Sequence, residues 1–169
     1  EGSAVACDVN GNLLFYTDGS TVWNKNHTIM DNGEDLNGHS SSTQSAVIAL
    51  KPESKNIYYI FTVDQNAGPN GLSYSIVDIS KDQKLGRVIE KNTLLTTSVC
   101  EKITILKHRN GVNYWVLTHL FNSNSFIAYQ LTPQGIIKSK VESKVGQNIS
   151  GDVSNTYGYL KGSPNSQYV

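Results

Sequence analysis

At 169 residues the chain is long enough to bury one ordinary hydrophobic core. Its 14 Lys plus Arg are matched by 14 Asp plus Glu, so it lacks the basic surplus that a nucleic-acid binder or an anionic membrane surface demands. No apolar run approaches the roughly 20 residues of a membrane-spanning helix, and direct membrane insertion is not expected.

Hydrophobic alternation of period two dominates, and no stretch carries a sustained apolar stripe at helical spacing. Residues 3–8 read as a strand, Asn10-Gly11 as a hairpin turn, and 13–18 as a second strand. Asp18-Gly19 turns the chain into a third segment at 20–24, with a short fourth near Ile29 and Met30. The same order recurs as strands over 44–51, 57–64, 72–80 and 87–95. It recurs again over 101–108, 112–119, 125–132 and 136–145. A fourth unit opens with 157–161 and a turn at 163–166. Anchored on Asn12, Asn56, Gly111 and Ser166, the units repeat at intervals of about 44, 55 and 55 residues, the range of propeller blades.

The expected fold is all-β: a β-propeller of four-stranded antiparallel blades, incomplete at about three blades plus the start of a fourth. The blade boundaries fall near 1–36, 37–97, 98–150 and 151–169, the last truncated. A β-sandwich is the alternative, because evenly spaced short strands suit it too. The chain begins at Glu1 without a signal peptide, which reads as a processed or excised piece of a longer protein. Two cysteines, Cys7 and Cys100, make no disulfide framework, and two small buried thiols are favoured over a mutual bridge.

Several motifs are recognisable: NGNLLFYTDG at 10–19, VWNK at 22–25, GHSSSTQS at 38–45, YYIFTVD at 58–64, Glu101-Lys102, HRNG at 108–111 and YWVLTH at 114–119. With these motifs the chain resembles the N-terminal propeller-like region of Bacteroidetes secreted surface proteins. Many of those carry PKD modules and a gliding-motility-associated, type IX secretion sorting domain. The resemblance implies export to the cell surface or medium, adhesion or recognition of a protein or glycan, and company with other modules of a longer chain. It implies no established enzymatic activity.

In a propeller, the loop entering a blade's inner strand and the loop between its second and third strands share one face. Here these are 39–44 with 64–71, and 98–102 with 119–125. The candidate binding residues are therefore His39, Ser41, Thr43, Gln44, Asp64, Glu101, Lys102, His119 and Asn122. For the hydroxyls of 40–43, capping of backbone groups is favoured over ligand contact. His39 and His119 lack the spacing of a metal pair and read as structural histidines. Asp31-Asn-Gly-Glu-Asp-Leu-Asn-Gly38 invites calcium, but Leu36 stands where the helix–loop–helix pattern has Gly. A solvated turn is the favoured reading, and no cofactor is expected. Trp23, Tyr58, Tyr59, Tyr114 and Trp115 are favoured as packing residues over sugar-stacking ones. Asn26-His-Thr28 and Asn148-Ile-Ser150 fit the glycosylation pattern, which means little in a bacterial protein. The alternatives to recognition are a polysaccharide-active hydrolase or lyase using Asp64 and Glu101, and a structural module of a surface assembly.

Overall fold

A computed structural model describes residues 2–169 as eleven strands in three antiparallel sheets, none of which closes on itself. The first sheet orders β1 (Ala4–Cys7), β2 (Leu13–Thr17) and β3 (Val22–Asn24). The second runs β4 (Ala46–Leu50), β5 (Ile57–Val63), β6 (Leu72–Asp78), β7 (Arg87–Thr96). The third runs β8 (Val99–Lys107), β9 (Tyr114–Leu120), β10 (Ser123–Thr132), β11 (Gly135–Ile149). Within each sheet consecutive strands are neighbours, as short hairpin turns require.

The register explains how the sheets stack. Residues directly opposite one another share a face, and β5 alternates IYYIFTV with six consecutive residues buried. On one face Tyr59, Phe61 and Val63 line up with Ile76, Tyr74 and Leu72 of β6. These pack with Ile103, Val116, Ile127 and Tyr129 of the third sheet. On the other face Tyr58 and Ile60 join Val77 and Val88, and pack with Ala6, Phe15, Val22 and Met30. The second sheet is therefore the middle layer, apolar on both sides. Tyr58 meets Phe15 edge-on at 5.4 Å, while Tyr16 and Trp23 stack on each other at the same separation.

Two predicted strands are not formed. In the first unit, Ile29 makes a single bridge to Trp23 and Asp31 one to Arg87. Left-handed backbone at His27, Asn32 and Asp35 bends the chain out of the sheet there. Residues 31–37 instead lace onto β7: Asp31 pairs with Arg87 at 3.2 Å, Lys91 Nζ donates to Glu34 O, and Asn92 Nδ2 donates to Asp35 O. Two backbone carbonyls of this stretch, Glu34 O and Asp35 O, thus accept from side chains of β7. In the fourth unit, 157–161 forms no strand, and side chains of earlier units hold backbone groups in and just after it: Gln44 Oε1 accepts Leu160 N–H and Thr104 Oγ1 accepts Gly162 N–H.

Both cysteines are free. Cys7 is exposed rather than buried, since it lies beside the bulge that ends β1. Burial pushes the Cys100 thiol up to about 11, which leaves it inert. Among the described residues no helix is long and apolar enough to cross a membrane.

Candidate functional site

The loop 39–45 touches every unit of the chain. His39 Nδ1 accepts Ser41 N–H at 3.0 Å, and Ser42 O accepts Gly2 N–H at 3.3 Å. Ser45 Oγ donates to Gly2 O at 2.6 Å. Thr43 turns to the third sheet, where its N–H and hydroxyl both donate to Glu101 Oε2, at 2.7 and 2.9 Å. Gln44 Oε1 accepts Ile103 N–H at 3.1 Å and Leu160 N–H at 2.6 Å, while its Nε2 donates to Leu160 O at 3.3 Å.

Glu101 is 1% exposed, and its second oxygen accepts Asn66 N–H at 2.8 Å. That bond steadies a turn in which Asn66 and Ala67 both take φ 53°, a conformation costly for Ala. Asp64, 6% exposed, holds the same turn from within: Oδ1 accepts Gln65 N–H at 2.9 Å and Oδ2 accepts Asn70 N–H at 3.0 Å. The approach is so close that a Cβ on Gly68 would collide with the Asp64 carboxylate, which its backbone bonds hold in place. Both carboxylates thus serve backbone donors. Ser42 Oγ and Asn66 Oδ1 are buried in this hub without a hydrogen-bond partner among the described residues.

His119 lies beneath the loops, 2% exposed, with its ring edge-on to Phe126 at 4.6 Å. Its Nδ1 is 2.7 Å from Leu120 O, so that nitrogen carries the hydrogen and Nε2 is bare. Burial holds its pKa below the ordinary 6.5, and nearby Lys102 pushes the same way against the Leu120 carbonyl. The unfolded chain therefore binds the proton more readily than the folded one. Stability is unaffected above about pH 6.5 and falls as pH drops from there towards the lowered folded value. Urea midpoints measured at pH 8 and pH 5.5 are expected to differ more for the native chain than for His119→Gln. Equal differences would show that another group governs the acid limb.

The remaining residues, Lys102 and Asn122, border two clefts created by one irregularity. Ser123 pairs with Ile149 and Ser125 with Lys144, so residues 145–148 of β11 bulge out opposite Asn124 alone. Gly146 permits this at φ 113°. One cleft, of about 590 Å³, is lined by Asn122, Asn124, Ser125, Glu142, Lys144 and Asn148. The other, of about 380 Å³, is lined by Lys102, Gln147, Asn148, Ser150 and Asn155. Asn148 belongs to both. Ser125 Oγ donates to Glu142 Oε1 at 2.8 Å, and Asn155 Nδ2 donates to Ser150 O at 2.8 Å. The Lys102 stem packs against Gly158.

The nine predicted residues therefore separate. Thr43, Gln44, Asp64 and Glu101 form the hub, His119 is buried, and His39 and Ser41 sit on the outer turn of the loop. Lys102 and Asn122 adjoin the clefts. Sequence reasoning missed Asn124, Gln147, Asn148 and Asn155 as candidates. Gln147 and Asn148 directly follow Gly146, which is their only local signal, and Asn124 and Asn155 carry none. Of the aromatics, Tyr58 and Tyr59 are buried between sheets, and Trp115 sits 5.4 Å from the His108 ring. Comparison with protein-family models, curated proteins and solved structures gave no match.

Proposed function

We propose that the chain is a non-enzymatic recognition segment of a β-propeller, part of an exported bacterial surface protein, and that it binds glycan through the paired clefts of the third sheet. Stacked sheets of three, four and four strands, each in sequential order, support the propeller reading. Export and surface location rest on the motif resemblance alone. The observation that carries the binding reading is the amide-lined cleft pair meeting at Asn148. Carboxamides offer donors and acceptors together, which suits the hydroxyls of an uncharged sugar. The hydrolase or lyase alternative draws no support from Asp64 and Glu101, whose oxygens already accept backbone donors.

Glycan-array binding followed by calorimetry tests this reading. Asn122→Ala and Asn148→Ala are each expected to weaken binding at least tenfold, while Ser41→Ala leaves it unchanged. An array with no binder sinks the glycan reading, and unchanged affinity in both Asn variants sinks the cleft. A second reading, a module of a larger assembly, is favoured by the outward apolar patch of Leu106, Trp115, Leu117, Ala128 and Val141.

A further inference from the structure

The first strand of every sheet is an edge strand: β1 pairs with β2 alone, β4 with β5 alone and β8 with β9 alone. In β4 the register fixes which backbone groups face outward. Val63 N–H donates to Ser45 O at 3.1 Å and Lys51 N–H to Ile57 O at 2.8 Å. Residues 45, 47, 49 and 51 therefore spend their N–H and C=O groups on β5. Ala46, Ile48 and Leu50 point theirs the other way, where no strand pairs with β4 among the described residues.

That free edge opens on a trench. Its upper part, about 560 Å³, is lined by Ala4, Val5, Gln44, Ala46, Ile48 and Tyr159. Its lower part, about 640 Å³, is lined by Val5, Leu14, Ile48, Leu50, Lys55 and Tyr58. Val5 and Ile48 belong to both, so the trench runs the length of β4, about 17 Å for five residues of strand. An unpaired edge over a floor that is mainly apolar in the lower part, and joined by Ser3 and Thr43 in the upper, suits a second extended backbone whose side chains alternate between apolar and small polar. The molecule already holds such a backbone at the upper end. The Gln44 carboxamide accepts Leu160 N–H and donates to Leu160 O, reading one residue as a neighbouring strand would.

We infer that the trench binds an extended, largely uncharged peptide by strand addition to the free edge of β4. This site is separate from the amide-lined clefts and does not depend on them. The probe is a fluorescein-labelled, acetylated and amidated hexapeptide of alternating Ser and Val. Titration is expected to shift the amide resonances of Ala46, Ile48 and Leu50 and to saturate the anisotropy. Two versions N-methylated at alternate residues, one in each frame, remove pairing donors from one edge or the other, and one of them should bind at least tenfold more weakly. Ile48→Pro deletes an outward N–H while sparing the β4–β5 ladder, and should weaken the plain peptide at least fivefold. Asn148→Ala should leave peptide binding unchanged while weakening glycan binding at least tenfold. Unmoved resonances at millimolar peptide, or equal binding of both methylated versions and the parent, would overturn the inference even if Ile48→Pro fails to fold. Loss of peptide binding in Asn148→Ala would overturn the separateness of the two sites.

Discussion

Glu101→Ala is expected to lower stability by about 3–5 kcal/mol, because it strands three part-buried donors, each costing on the order of 1–3 kcal/mol when left unmade. The donors are Thr43 N–H, Thr43 Oγ1 and Asn66 N–H. For a chain of this length the loss corresponds to a melting temperature lower by roughly 8–15 °C. Glu101→Gln keeps the volume and one acceptor oxygen but turns an NH2 towards a donor, so it should restore only part of the loss. Amide exchange at Thr43 and Asn66 should rise in both variants, since the left-handed pair at 66–67 loses its outside tether. A melting temperature within a few degrees of the native value would show that the carboxylate is not the hub, and would return it to the list of ligand contacts.

The difference between what was legible and what was not lies in sequence distance. Alternation over 57–63 and the turns at Asn10-Gly11 and Arg109-Asn-Gly111 are local, and the sheets form where they predict. The burial of Glu101 is not local. Its partners Thr43 and Asn66 lie 58 and 35 residues away, and no residue beside Glu101 announces them. The fourth strand of the first unit is cut short by left-handed backbone at His27 and Asn32, and the stretch after it is held from a later strand, by Lys91 and Asn92 at Glu34 O and Asp35 O. The bulge at 145–148 is illegible in another way. Val145 and Asn148 fit a continuing strand, and only the pairing of Ser123 with Ile149 reveals that four residues have left the ladder. Hydroxyls are dense in the loops, whereas Asn124, Gln147 and Asn148 lie within the strands that flank the bulge.

Phe61→Ala is expected to cost about 3–5 kcal/mol, the usual loss for a fully buried aromatic that leaves a cavity. Phe61 is 0% exposed, with its ring 5.9 Å from Tyr59 and 6.3 Å from Tyr74, on the face that meets the third sheet. Its neighbour Ile60, also 0% exposed, points to the first sheet, and Ile60→Ala should cost about 2–5 kcal/mol. The more telling difference is spatial. If each interface stabilises mainly the sheets it joins, as in stacked repeat architectures, Phe61→Ala raises hydrogen exchange in β8–β10 before β1–β3, and Ile60→Ala does the reverse. Uniform acceleration in both variants would mean a single cooperative core, with the sheets not separable into blade-like units. The polarised pattern would instead assign the middle sheet the role of a spine, tying the first sheet to the third without direct contact between their cores. In that case the loop 39–45, which enters the spine at Ser45 and bonds Gly2 on one side and Glu101 on the other, is the one segment whose loss should loosen both interfaces at once.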